Sequence, residues 1–215
     1  MSLIDANLAI LFLKQSFEYI SSVFGQSYLK LLVDFAKQFE ANKLGELPPE
    51  GIENIDDVVN YIVRNLDRYP QGYCALVYGN AKADSEIEGA TGAAWKHSGM
   101  NALELLMKPS GLLEEPLPLK KALEKSQEFA KSINMAAQLQ FIEESEDTVS
   151  IIIEKCPFAD SCEAFEEEGI SRITGRTECA NLVCYTAAAQ LITRKQCDYS
   201  IQRKEHKCRG KIFEV

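Results

Sequence analysis

The spacing of apolar residues changes along this chain, and the change constrains which folds are possible. Near the N-terminus apolar residues recur every three or four positions, as in Leu13, Phe17, Ile20 and Phe24 and again in Tyr28, Leu32, Phe35 and Phe39. That period is typical of amphipathic helices. Nearer the C-terminus apolar and polar residues alternate, as in strands with one buried face. The sequence therefore predicts an α+β fold, in which helices pack on an antiparallel sheet built from hairpins.

The N-terminal part, residues 1–110, is predicted to be helical with one strand. The first two helices are separated at Gly25, and a loop at residues 45–51 closes this pair. A third, short helix is predicted from the apolar spacing of Val59, Ile62 and Leu66. Residues 73–78 lie between two glycines and are predicted to form a strand. Residues 89–108 are predicted to form the next helix.

The C-terminal part, residues 119–215, is predicted to contain two hairpins and two helices within the same compact unit. Pro118 begins a helix that runs to about residue 133, because proline is tolerated in a first helical turn. Thr177 is predicted to cap a second helix that runs to about residue 194. Residues 139–142 and 149–153 are predicted to be two antiparallel strands joined by a polar turn at 144–147. Alternation around a second polar turn predicts strands at 199–202 and 208–213.

Six of the seven cysteines lie in the last third of the chain, at Cys156, Cys162, Cys179, Cys184, Cys197 and Cys208. Thiolates are the ligands that zinc and iron–sulfur clusters select. No secretion signal is visible, so the expected compartment is the cytosol, where thiols stay reduced and disulfides are disfavoured. A shared metal is therefore the first hypothesis for these cysteines.

The predicted metal ligands are Cys156, Cys162 and Cys179, with Cys208 or, alternatively, Cys197 as the fourth. Cys179 lies in the first turn of a predicted helix, where the helix dipole and unpaired N–H groups favour a thiolate. Cys197 and Cys208 lie on the two arms of the last hairpin, about 13 Å apart along the strands at about 3.3 Å per residue. The predicted metal is zinc. An iron–sulfur cluster is the alternative, because zinc leaves two of the six cysteines unexplained.

Composition and missing motifs exclude several classes of function. The net charge of −9 argues against a nucleic-acid-binding domain, which normally carries a basic face. No stretch approaches the ~20 apolar residues that a membrane span requires. The sequence contains no phosphate-binding loop, no HExxH and no GxSxG motif. A binding protein is thus favoured over an enzyme.

The C-terminal block resembles the 4-vinyl reductase domain, also called the hydrocarbon-binding domain. A strand, a cysteine-bearing helix and a final hairpin end in EHKCRGKIFEV, where Cys208, Phe213 and Val215 match the closing pattern of that family. Ser200 and Cys197 stand where the family has its penultimate cysteine and its acidic ligand. The resemblance implies an α+β fold that encloses small apolar ligands. Some members of that family sense aromatic compounds and carry a structural zinc held by cysteines and a glutamate. The resemblance implies that this chain could have the same properties.

The predicted function is a small-molecule sensor or binding module that contains a structural metal. Aromatic residues of the first half are predicted to surround a small apolar ligand, namely Phe17, Phe24, Phe35, Phe39 and Trp95. One alternative is an iron–sulfur protein that senses or transfers electrons. Another is a thiol-dependent enzyme with Cys179 as its nucleophile. Apolar helical faces in the first half make a homodimer a candidate assembly.

Overall fold

The computed structural model describes residues 6–44, 54, 56–57, 59, 71–88, 93–132, 138–156, 158–171, 179–204 and 207–215. The seven α-helices in these ranges are α1 (Ala6–Phe24), α2 (Gln26–Leu44), α3 (Gln71–Glu88), α4 (Ala93–Met107), α5 (Leu119–Ser132), α6 (Ala159–Glu168) and α7 (Ala180–Thr193). The four strands are β1 (Gln138–Ser145), β2 (Thr148–Lys155), β3 (Cys197–Lys204) and β4 (Lys207–Glu214). The predicted α+β class is confirmed.

Helices α1 and α2 form as the apolar spacing predicts. Gly25 separates them with a φ of +83°, a left-handed conformation that glycine adopts without steric cost. Most side chains of both stripes are buried in the core, and only Phe24 and Phe35 are partly exposed. The predicted loop at 45–51 and most of the predicted third helix lie outside the described residues.

Residues 73–78 form the start of helix α3, so the predicted strand is wrong. Every residue from Cys74 to Tyr78 is buried. When all residues of a short segment are apolar and buried, their spacing does not distinguish a strand from a helix. Helix α3 packs closely along α2, where a Cβ added at Gly79 would lie 2.3 Å from the Leu32 carbonyl oxygen.

The four strands form one antiparallel sheet in the order β1-β2-β4-β3. Both predicted hairpins are present, since β1 pairs with β2 and β3 pairs with β4. One face of the sheet is buried, and its side chains include Leu139, Val149, Ile151, Ile153, Tyr199 and Ile212. Helix α5 packs over β1 and β2, and α7 packs over β3 and β4.

The two halves of the chain share one hydrophobic core. Helix α4 packs against α1 and α7, and α3 packs against α6. At the second contact Glu168 accepts hydrogen bonds from the Tyr78 hydroxyl at 2.6 Å and from the Lys82 amine at 2.7 Å. These bonds fix the C-terminal end of α6 against α3. No helix among the described residues is long and apolar enough to cross a membrane.

Helix α7 begins two residues later than its predicted cap implies. The N-cap is Cys179, whose sulfur accepts a hydrogen bond from the Leu182 backbone N–H at 3.5 Å. The predicted cap, Thr177, lies outside the described residues. The helix ends at Thr193, and Arg194 follows in a left-handed conformation with a φ of +59°.

Candidate functional site

A small cavity lies where α1, α4, α5 and α7 meet. Its volume is about 30 Å³, which exceeds the roughly 10–15 Å³ that a single water needs. Its wall is mainly apolar and includes Phe12, Leu103, Met107, Phe129, Phe158 and Ala188. None of the described residues that line it carries a charge. The cavity therefore suits a neutral, largely apolar molecule of a few heavy atoms.

Three polar side chains also line the cavity, and two of them have hydrogen-bond partners. The Ser126 hydroxyl donates to the Ala122 carbonyl oxygen at 2.7 Å. The side-chain amide of Asn181 donates to the Cys156 sulfur at 3.0 Å. The Tyr185 hydroxyl is buried and has no hydrogen-bond partner among the described residues. Burial, with a smaller contribution from Cys184, raises the pKa of Tyr185, so this hydroxyl stays neutral.

Edge-to-face ring contacts hold the aromatic side chains of the cavity wall in place. The Phe12 and Phe129 rings lie 6.1 Å apart at 63° and join α1 to α5. The Tyr185 ring meets Phe141 of β1 at 6.0 Å and 61°. These centroid distances and angles are ones that aromatic pairs favour. The wall is thus built from rings whose positions are fixed by neighbouring elements.

The predicted ligand-contacting aromatic residues of α1 and α2 are not among the described residues that line this cavity. Phe17 is buried, and the Phe24 ring lies 5.0 Å from that of Tyr28. Phe39 stacks on Tyr78 at 4.8 Å, while Phe35 packs at the edge of the core. The side chain of Trp95 lies outside the described residues. The predicted aromatic residues of α1 and α2 are therefore core residues away from the cavity.

Sequence reasoning missed the residues that do line the cavity. One signal was available on α7, where Asn181 interrupts a long apolar run. A buried amide within such a run needs a polar partner or a ligand. Asn181 shares its helix face with Tyr185 and Ala188, which are four and seven residues further along and also line the cavity.

Four cysteines lie close together beside this cavity, and we call them the cysteine cluster: Cys74, Cys156, Cys162 and Cys208. They come from α3, the end of β2, α6 and β4. Repulsion from a neighbouring thiolate contributes to raising the pKa values of Cys74, Cys156 and Cys162. The structure thus brings together three of the predicted metal ligands, Cys156, Cys162 and Cys208, and adds Cys74.

The cysteine cluster is not arranged as a metal site. Burial is the largest cause that raises the pKa of every thiol in it, and it raises that of Cys74 to about 12. Among the described residues, no group of three or more His, Cys, Asp or Glu side chains could hold a metal ion. The described residues therefore do not support the predicted zinc or iron–sulfur cluster.

The remaining two predicted ligands, Cys179 and Cys197, lie at the start of α7 and on β3. Cys179 is buried at the start of α7, and its backbone N–H donates to the Tyr199 hydroxyl at 3.3 Å. Cys197 pairs with Glu214, whereas Cys208 pairs with Arg203. Six residues separate positions 197 and 203, which is about 20 Å along the strand. Cys156 follows β2 at the Cys208 end of the sheet, so the strand register places Cys197 at the opposite end from Cys156 and Cys208.

The raised thiol pKa values predict that the protein loses stability in alkali. Thiols ionise near pH 8.5 in an unfolded chain, but burial keeps the Cys74 thiol protonated in the folded protein up to a pKa of about 12. The unfolded state therefore gains free energy from ionisation as the pH rises above about 8.5. Urea unfolding between pH 8 and 11 measures this effect. The free energy of unfolding should fall less steeply with rising pH for Cys74→Ala than for the parent protein. Equal pH slopes would contradict this assignment.

Comparisons with known proteins do not assign this chain to a family. No family model matches the chain, and no curated protein matches it. Among solved structures, the Fe(II) unliganded H-NOX protein from K. algicida is similar, with 11% identity, a TM-score of 0.47 and 96% of each chain covered. An oxygen-binding H-NOX domain related to soluble guanylate cyclases, in its oxygen complex, has 12% identity, a TM-score of 0.38 and coverage of 94% and 92%. At these identities and TM-scores the likeness does not establish a shared family or function.

The cavity is too small for a large planar cofactor such as a heme. Pockets for ligands of drug size occupy ~300 Å³ or more, whereas this cavity has about 30 Å³. No histidine is among the described residues that line it. His97 is exposed on α4, and His206 lies outside the described residues. We therefore assign no heme to this cavity.

Proposed function

We propose that this protein binds a small, largely apolar molecule between α1, α4, α5 and α7 and acts as a sensing or binding module. The observation that carries the proposal is a cavity of about 30 Å³ between packed helices, lined by aromatic residues that include Tyr185. The buried hydroxyl of Tyr185 has no hydrogen-bond partner among the described residues. Protein interiors are otherwise close-packed, with few voids larger than a water. Known ligand pockets combine apolar walls with a few polar groups in the same way.

A path of direct contacts from the cavity to a partly exposed thiol supports a sensing role. The Cys156 sulfur accepts hydrogen bonds from the Asn181 amide at 3.0 Å and from the Phe158 backbone N–H at 3.4 Å. Both donor residues line the cavity. A ligand that shifts either residue would also change the surroundings of Cys156, at the junction of β2 and α6. A ligand transmits a signal only if its contacts differ between two conformations of the protein, so that binding favours one of them.

The likeness of the C-terminal block to the hydrocarbon-binding domain supports the same class of ligand. Its closing residues, Cys208, Phe213 and Val215, belong to the hairpin that completes the sheet under α7. The proposal includes neither reductase chemistry nor a metal held by cysteines, because the described thiols form no group suited to an ion. Fold likeness alone does not determine a reaction.

Xenon is the probe that tests this proposal, since it binds apolar cavities without needing a polar contact. Under xenon pressure, the methyl groups of Ala130 and Ala188, which line the cavity, are expected to show saturable NMR shifts. The Ala36 methyl is the internal control, because it faces Gly79 at the contact between α2 and α3.

Ala188→Val is the matched variant for the xenon experiment. Its two added methyl groups fill part of the cavity, so the shift of the Ala130 methyl is expected to disappear while far-UV circular dichroism stays unchanged. Two results would refute the proposal. One is the absence of saturable shifts at Ala130 and Ala188 in the parent protein. The other is an undiminished Ala130 shift in the folded variant.

A further inference from the structure

We infer that the Tyr185 hydroxyl is the hydrogen-bond donor that anchors the ligand, and that the ligand is a small neutral molecule with an apolar body and one acceptor atom. Carbonyl, ether and nitrile compounds are examples of this class. The inference rests on the proposed function, because it concerns the same cavity. It goes further by naming the group that selects among apolar molecules.

The buried hydroxyl of Tyr185 forms no hydrogen bond with any described residue. Its side chain is 3% exposed, and its hydroxyl has no hydrogen-bond partner among the described residues. Buried hydroxyl groups in native proteins nearly always have a partner, because burying one without a hydrogen bond costs free energy. An acceptor atom on a molecule in the cavity would supply the missing partner.

The position of this hydroxyl is fixed, and its protonation state is suitable for donation. Tyr185 lies in the middle of α7, with the buried residues Thr186, Ala187 and Ala188 following it. Its ring is held by the edge contact with Phe141 at 6.0 Å. Burial raises its pKa, so the oxygen keeps its proton at physiological pH.

The other groups in the wall restrict the ligand further. The Ser126 and Asn181 donors are already used, by the Ala122 carbonyl oxygen and by the Cys156 sulfur. A charged ligand would meet no opposite charge among the described lining residues. Burying an unpaired charge is far more costly than burying a neutral polar atom. The remaining class is neutral, with one polar end at Tyr185 and an apolar body against Phe12 and Phe129.

Acetonitrile and propyne are a matched pair of probes for this inference. Both are linear molecules with three heavy atoms, and only acetonitrile carries a strong acceptor. Binding is measured from the methyl shifts of Ala130 and Ala188 in the parent protein and in Tyr185→Phe. Acetonitrile affinity is expected to fall about 3- to 10-fold in Tyr185→Phe, as the loss of one neutral hydrogen bond implies. Propyne affinity should be unchanged or higher.

Tyr199→Phe is the control variant, because Tyr199 is an equally buried tyrosine whose hydroxyl accepts the Cys179 N–H. This variant should bind both probes like the parent protein. This variant should also melt at a lower temperature, because removing the Tyr199 hydroxyl leaves the Cys179 N–H without that acceptor. Tyr185→Phe should melt at the same or a higher temperature, because it removes an unsatisfied hydroxyl.

A measurement on the parent protein keeps the test independent of both variants. With tyrosine labelled at 13Cζ, acetonitrile should shift the Tyr185 signal in the direction of a stronger hydrogen bond, and propyne should not. Equal acetonitrile affinity in the parent and in folded Tyr185→Phe, or the same 13Cζ shift with both probes, overturns the anchor. Xenon and propyne binding would then still support the cavity. If neither xenon nor either probe binds, the proposed function itself fails.

Discussion

Replacing Gly79 with alanine is expected to destabilise the protein by about 3 kcal/mol, the upper part of the range for overpacked cores. An added Cβ would lie 2.3 Å from the Leu32 carbonyl oxygen and 2.9 Å from the Ala36 backbone nitrogen. Both atoms belong to the backbone of α2, so no side-chain rotation can relieve the contact. Helices α2 and α3 must move apart, and the buried contacts along their interface are lost.

Gly99→Ala is the control for this substitution. Gly99 also lies within a helix, α4, but an added Cβ there would meet no described atom within 4 Å. Alanine favours helix over glycine by about 0.5–1 kcal/mol, so this variant is expected to gain stability. Urea unfolding followed by circular dichroism measures both effects. Equal changes in the two variants would contradict the close approach of α2 and α3.

Phe158→Ala is expected to cost about 3–5 kcal/mol in stability and to give the cavity room for a larger ligand. Phe158 is 1% exposed, precedes α6 and lines the cavity. Removing its ring joins new apolar space to the existing 30 Å³. Enlarged apolar cavities stay dry and bind benzene. Benzene should therefore raise the melting temperature of the variant and shift the methyl signals of Ala130 and Ala188.

Phe165→Ala is the matched control for Phe158. Phe165 is also 1% exposed, but its ring stacks on Tyr78 at 6.3 Å and does not line the cavity. A similar loss of stability is expected from the same change of side chain. Benzene bound in the space that it leaves would lie near Tyr78, so the methyl signals of Ala130 and Ala188 should not shift. The same methyl shifts in both variants would count against the position of the cavity.

The fold class could be predicted because local spacing is enough to form its main elements. The β1–β2 hairpin illustrates this, since its two apolar strand segments flank a polar turn, and Val149, Ile151 and Ile153 are buried on one face of β2. The prediction failed at residues 73–78, where every side chain from Cys74 onward is buried. Such a segment carries no periodic signal, and its α-helical form is set by packing on α2.

The candidate site could not be predicted because its residues are distant in the sequence. Phe12, Phe129 and Tyr185 become neighbours only when α1, α5 and α7 meet in the shared core. No spacing rule connects residues on different elements, and each of these side chains has the ordinary pattern of a core residue. The cavity is a property of how well the core is filled, which depends on the packing of all four helices.

The cysteines show why residue type alone is a weak guide to a metal. The sequence reasoning correctly doubted that Cys197 and Cys208 could meet across a regular hairpin, and the strand register separates them further. Burial, which raises the pKa of the clustered thiols, could not be predicted from their spacing. Buried cysteine commonly behaves as a small hydrophobe. Spacing along the chain does not distinguish that state from a ligand.

A crystal structure of the protein under xenon pressure tests the central claim most directly, because the anomalous scattering of xenon locates the bound atom. We predict a xenon peak between Phe12, Phe129 and Tyr185, in the cavity between α1, α4, α5 and α7. A core in which side chains fill this volume, with no xenon at any pressure that the crystal tolerates, would contradict it.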